Sequence, residues 1–203
     1  MTQNDCESCG KCKDLKEKDL TQCERLYTIL VYSENVPGLL SQITAVCTRR
    51  QVNIETLNVC ASSTPGVHKY TITCKCTEYT VKMLTKQMEK KIDVLQANYY
   101  TDDELFMLES ALLKISTPVM LSNPDVSHIV RMHAGSFVEV NPVFATLEKT
   151  GRSETIMSLY NKLNELGAVL QFVRSGRICV TRSTEERLDN YLARREEERK
   201  ANK

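Results

Sequence analysis

The chain has 203 residues, which at about 100–200 residues per domain allows one large domain or two small ones. Its 27 Lys+Arg against 26 Asp+Glu leave a formal charge of +1, which argues against a dedicated nucleic-acid binder. Hydrophobic residues are 41%, tryptophan is absent, and no apolar run nears the length of a membrane span. With no apolar stretch at the N-terminus to act as a secretory signal, the expectation is a cytoplasmic protein that contacts neither membrane nor nucleic acid. The nine cysteines are then reduced thiols rather than a disulfide framework.

Residues 1–24 are polar and rich in cysteine, with no sustained apolar period, and read as an arm. From 25 to 100 the elements follow in a clear order. Leu26 to Ser33 is a strand with apolar residues on both faces. Pro37 suits a first helical position, and Leu39, Leu40, Ile43, Val46 and Cys47 follow at helical spacing. Ile54 to Cys60 is a second strand, and Thr64-Pro65-Gly66 marks a turn. Tyr70, Ile72, Cys74 and Cys76 alternate with polar residues, as an antiparallel strand with one wet face does. Val81, Leu84, Met88 and Ile92 suit a second amphipathic helix, and Val94 to Tyr99 is a last strand. The order β-α-β-β-α-β is the ferredoxin-like unit.

Residues 101–183 repeat that logic. Leu105 to Ile115 is a strand. Asn123-Pro124 opens a short helix that Gly135 ends. Phe137 to Val140 and Val143 to Leu147 flank an Asn141-Pro142 turn. Ser153 is a candidate N-cap for a helix through Ile156, Leu159, Tyr160, Leu163 and Leu166, with Gly167 as its C-terminal stop. Ala168 to Val173 and Ile178 to Val180 read as a hairpin about Ser175-Gly176. The fold class is therefore α+β, two ferredoxin-like domains with antiparallel sheets. Residues 184–203 form a highly charged tail that reads as a solvated helix, with pairs such as Glu196 and Lys200 four apart.

Residues that could carry catalysis are sparse. There are three histidines, and His128 and His133 lie about 140° apart around a helix, so they share no face. No His-Glu-x-x-His pattern, phosphate loop or Gly-x-Gly-x-x-Gly occurs, and the reading is of a chain with no catalytic site of its own. Cys6, Cys9, Cys12 and Cys23 have spacings that could close around zinc or part of an iron–sulfur cluster, serve as redox thiols, or simply sit in a flexible arm. Cys47, Cys60, Cys74, Cys76 and Cys179 lie among apolar residues and read mostly as packing groups.

The most informative segment is Glu34-Asn35-Val36-Pro37-Gly38-Leu39-Leu40, where a strand stops and a helix starts. The first helical N–H groups lack intrahelical partners and carry partial positive charge, and Gly38 permits close approach to the backbone. Such a corner can hold a carboxylate. Asn53 offers both a donor and an acceptor. An alternative stays open, in which Asn35 and Asn53 only cap a turn and a strand.

At this segment the chain resembles the ACT-domain family and, more narrowly, the small regulatory subunits of acetolactate synthase. The matching stretches are Glu34-Asn35-x-x-Gly38-x-Leu40-Ser41, Asn53-Ile54-Glu55-Thr56-Leu57-x-Val59 and Asp93-Val94-Leu95. In the second half they are Glu109 to Ile115, Pro142-x-x-x-Thr146-x-Glu148-x-Thr150-Gly151, and Val173-Arg174-Ser175-Gly176. The resemblance implies a homodimer that binds valine or another branched-chain amino acid at an ACT–ACT interface. It implies that this chain activates a separate large catalytic subunit and confers feedback inhibition on it. Thiamine diphosphate, Mg²⁺ and FAD would belong to that partner, and no cofactor to this chain. Carried over by position, Asn35, Val36, Pro37, Gly38 and Leu39 would grip the amino acid, with Asn53 and Ile54 supplied by the other copy. Three departures stand out: Gln51 where the family has glycine, Cys60 where a small residue is common, and the cysteine-rich arm. Other readings are an ACT regulator of another enzyme or of transcription, and a thiol or metal protein built on the arm.

Overall fold

The computed structural model describes residues 23–183 together with Leu192, Ala193 and Glu197. Met107–Val180 forms one compact unit, and the described residues up to Phe106 and from Thr181 onward form the other.

The first unit runs β1 (Arg25–Glu34), α1 (Leu39–Arg49), β2 (Ile54–Ala61), β3 (Val67–Cys76), α2 (Glu78–Glu89) and β4 (Val94–Tyr100). Its antiparallel sheet has the order β2-β3-β1-β4, which leaves β2 at an edge. The β-branched and aromatic run of β1 belongs in the centre of a sheet. Ile29 there lies opposite Ile72 on one side and Tyr99 on the other. Tyr27, Ile29 and Val31 meet Leu39, Ile43 and Val46 of α1 and Val81, Leu84 and Met88 of α2 in one core. On the other face Thr28, Leu30 and Tyr32 are buried too. Tyr32 packs there with Val67 and Leu95, and half-buried Leu192 joins them. Leu192 and Ala193 are helical as expected, but the tail is not purely a solvated face.

Helix ends differ from expectation in instructive ways. Pro37 is not a helical residue: α1 begins at Leu39, and Gly38 at φ 85° is its N-cap. The left-handed turn at Gly38 postpones the helix by two positions. Ile92 is not on α2, which stops at Glu89, and it is 95% exposed. At the far end of α1, Gln51 adopts φ 54°. Its N–H donates to Thr48 O, and that of Val52 donates to Cys47 O, which is a Schellman ending with glutamine where glycine is favoured.

The second unit runs β5 (Leu105–Ser116), α3 (Thr117–Ser122), α4 (Pro124–Met132), β6 (Ser136–Val140), β7 (Phe144–Gly151), α5 (Ser153–Glu165), β8 (Val169–Arg174) and β9 (Ile178–Thr181). The strand order β6-β7-β5-β8 repeats that of the first unit. Leu113, Ile115, Leu147, Val126, Val130, Ile156 and Leu159 share its core. The expected hairpin is replaced, because β8 and β9 both pair with β5. At 12 residues β5 is long enough to take both, and Ser175 pins the link by accepting from Ser110 N and donating its own N–H to Ser110 O. Ser153 is not the cap of α5, a position held by Arg152. The left-handed residue ending α4 is Ala134 rather than Gly135. A Cβ on Gly135 would lie 3.2 Å from a Val130 methyl, so that glycine serves close packing. Beyond β9, Arg182 N donates to Glu104 O and its Nε to Leu105 O, at 3.0 and 3.2 Å.

Candidate functional site

Asn35, Val36, Pro37 and Gly38 are exposed at the end of β1, while Leu39 is buried as the first core residue of α1. Two backbone bonds hold the corner, Asn35 N–H to Gly66 O at 3.1 Å and Glu34 N–H to Asp93 O at 2.9 Å. The chain can turn there because Gly38 takes the left-handed conformation, with nothing within 4 Å of where a Cβ would stand.

What the corner lacks is as telling as what it holds. Thr77 caps α2, Ser116 caps α3 and Asn123 caps α4, each with a side-chain oxygen, while α5 carries Glu154 in its first turn. Among the described helices α1 alone has neither a side-chain cap nor an acid in its first turn. Leu39 N and Gln42 N donate to Val36 O and Gly38 O, while glycine offers no side chain to cap the N–H groups between them. A helix N-terminus carries about half a positive charge, so this one is open to an anion. The Asn35 side chain makes no hydrogen bond to any described residue.

Asn53 and Ile54 lie elsewhere. Asn53 is exposed just before the edge strand β2, and Ile54 is half-buried at its start. The whole of α1, 11 residues and about 16 Å long at 1.5 Å per residue, separates them from Asn35. One copy of the chain therefore does not bring the two asparagines together. Val36 in the corner, Leu40 on α1 and Val59 on β2 are 39%, 42% and 38% exposed. They offer apolar surface beside backbone groups that no strand pairs.

Among the described residues the thiols provide no alternative centre. Burial pushes the Cys47 thiol up to about 11, so it stays protonated at neutral pH. The Cys74 and Cys76 sulfurs lie 3.9 Å apart, and their hydrogen bond raises the one and lowers the other. Cys60, expected among packing residues, is exposed. Cys6, Cys9 and Cys12 lie outside the described residues, and Cys23 is buried. Among the described residues no group of three or more His, Cys, Asp or Glu side chains could hold a metal ion. No described helix is long and apolar enough to cross a membrane.

Sequence reasoning missed one cluster in the second unit. Glu109 is 2% exposed and receives Arg174 Nη1 at 3.3 Å, Arg177 Nε at 3.6 Å and the Ser153 hydroxyl. It ties β5 to the start of α5 and to the link between β8 and β9. Glu109 and Arg174-Ser175-Gly176 stand out in the sequence, but partners 44 and 65 residues apart leave no local sign of each other.

The first unit's strand order, with an uncapped helix corner beside an exposed edge strand, followed by a second unit of the same order, defines a two-domain ACT-type protein. Residues 29–96 match the family described as the AHAS small subunit-like ACT domain, and residues 108–183 match the small subunit of acetolactate synthase. The acetolactate synthase small subunit of Bacillus subtilis is 30% identical over 166 residues, covering 81% of this chain and 94% of that protein. A probable acetolactate synthase small subunit from Methanothermobacter thermautotrophicus is 28% identical, over 74% of this chain and 89% of that protein. The crystal structure of a Thermotoga maritima acetolactate synthase small subunit has the same fold. It superposes with a TM-score of 0.72 at 23% identity, covering 79% of this chain and 99% of that one. The chain belongs to the acetolactate synthase small-subunit family, with the regulatory role of that subunit beside a catalytic one.

Proposed function

We propose that the chain senses valine or another branched-chain amino acid at a site divided between two copies of itself. In the unliganded state it activates the acetolactate synthase catalytic subunit, and ligand binding makes that subunit less active. Thiamine diphosphate, Mg²⁺ and FAD belong to the catalytic partner; the residues of this chain bind and transmit.

The observation that carries the reading is the bare N-terminus of α1, with neither cap nor acid. A ligand carboxylate is the group it lacks, and a favourable, partly buried anion there is stabilised by up to about 2 kcal/mol. The Asn35 amide beside it can orient the carboxylate or receive the ammonium group. Val36 and Leu40 supply apolar surface for a branched side chain. Because α1 separates Asn35 from Asn53, a site using both takes one from each copy. An arrangement of two copies about a two-fold axis along α1 and β2 would place them together twice. A ligand bridging copies couples binding to assembly geometry, with typical couplings of about 1–3 kcal/mol, or 5–150-fold.

The test is a thermal-shift titration of the full chain with valine, leucine and isoleucine, alone and with the catalytic subunit. A ligand at 100 times its Kd adds about 2.7 kcal/mol to stability. Asn35→Ala and Asn53→Ala should each abolish the shift and the feedback inhibition while leaving activation intact. Mixing the two variants should restore a partial response, since a mixed dimer holds one complete site. No shift with any of the three amino acids in either setting would overturn the reading.

A further inference from the structure

A cleft of about 540 Å³ runs between the end of α1 and the length of α2. Arg49 and Arg50 line it from one side and Lys90 and Lys91 from the other, with Thr80 and Gln87 between and no carboxylate among the lining residues. Within the described residues none of these four cations forms an ion pair. The acids nearest them in sequence do not neutralise them: Glu89 accepts the Ala97 N–H, and neither Glu55 nor Asp93 pairs with any of the four. Arg50 is held by one bond, its Nε donating to Gln87 Oε1 at 3.2 Å. That fixes one edge of the guanidinium and leaves its two terminal nitrogens without a described acceptor.

Four like charges gathered in one concave surface repel each other, and a chain whose formal charge is only +1 has acids enough to pair them. We infer that this cleft is a binding site for a compact polyanion, a small molecule bearing two or more linked phosphates. Several features favour that class. A planar arginine fork matches phosphate oxygens in pairs, and lysines add point charges that adjust to them. A diphosphate or triphosphate concentrates enough negative charge to answer four cations. The volume lies within the range of about 300–1,000 Å³ found for small-molecule sites. Thr80 and Gln87 add uncharged groups that can hydrogen-bond the rest of such a ligand. Neither the Asn35 corner nor Asn53 and Ile54 is among the residues lining the cleft, so it stands apart from the amino-acid reading above and neither depends on the other.

The probe is sodium tripolyphosphate, titrated calorimetrically into the full chain at low salt, with sodium chloride of equal ionic strength as the control. The expected result is saturable binding that weakens with added salt. In the Arg50→Gln/Lys91→Gln variant the Kd should rise at least tenfold. A Lys149→Gln/Arg152→Gln variant in the second unit should bind like the parent. Because the cleft variant relieves repulsion, its Tm without tripolyphosphate should equal or exceed the parent's. Should it fail to fold, Lys90→Gln/Lys91→Gln takes its place, since both side chains lie beyond α2. Absence of saturable binding overturns the assignment, including the case where the cleft instead receives an acidic protein segment. Equal loss of affinity in both paired variants overturns it too, as that marks unspecific attraction. The valine titration on the same variant should be unchanged, so failure of one reading leaves the other legible.

Discussion

Leu30 in the first unit and Leu112 in the second both sit on the sheet face turned away from the core helices, in central strands of sheets with the same order. Leu30 is 1% exposed and Leu112 is 50% exposed. The two strands record the difference along their length: β1 is buried at seven consecutive positions, Tyr27 to Ser33, whereas in β5 buried positions alternate with open ones. A βαββαβ unit needs only one covered face to fold. The second face is therefore free to vary, and in the first unit it carries the cluster of Tyr32, Val67 and Leu95 with Leu192. Leu192 lies beyond residue 183, where the family match ends, so that packing uses a residue the family pattern does not supply.

The comparison breaks most easily at the two leucines. Leu30→Ala should cost about 2–5 kcal/mol, the usual range for a buried leucine, and Leu112→Ala less than about 0.5 kcal/mol. Chemical denaturation of both variants measures the gap; equal costs would mean that the second unit's open face is covered in solution. Next in size is Glu109→Gln, which removes the charge that two arginines and a serine surround. With Arg174 partly exposed, the loss should be about 2–3 kcal/mol. It should speed hydrogen exchange at Ser110 and Ser175 before it touches the first unit.

The smallest effect compares two helix ends. Gln51 and Ala134 close α1 and α4 in the left-handed conformation, where Gly167 does the same for α5. A non-glycine residue there is disfavoured by about 1–2 kcal/mol, and glycine offsets part of that through greater unfolded-state entropy. Gln51→Gly and Ala134→Gly should each raise stability by about 0.5–1 kcal/mol, read as a Tm increase of a few degrees. A decrease at Gln51 alone would show that its side chain has a role that glycine cannot fill.

The element order was legible because periodicity and turn residues speak locally. The apolar run of β1, the Thr-Pro-Gly turn and the alternation in β3 needed no distant information. Errors fell where distant partners decide. Ser175-Gly176 looks like a hairpin turn, yet Ser110 holds it so that β9 continues along β5. Ser153 has the chemistry of a cap, but a buried Glu109 claims its hydroxyl. Pro37 suits a helix start, and the positive φ of Gly38 moves that start onward. Of the corner, the sequence displayed Asn35 and Gly38 themselves. That α1, among the described helices, alone lacks both a cap and a first-turn acid is visible only beside its neighbours, and the separation of Asn35 from Asn53 needed the helix between them.

The bonds from Arg182 to Glu104 and Leu105 have a consequence for gene architecture. The chain departs for the second unit and returns from it at adjacent points, as an inserted domain does. A gene that joins Glu104 directly to Arg182 would delete the whole of that unit with no spacer to span a gap. The same junction would accept a different domain whose ends lie equally close, so that the first unit could be wired to another output.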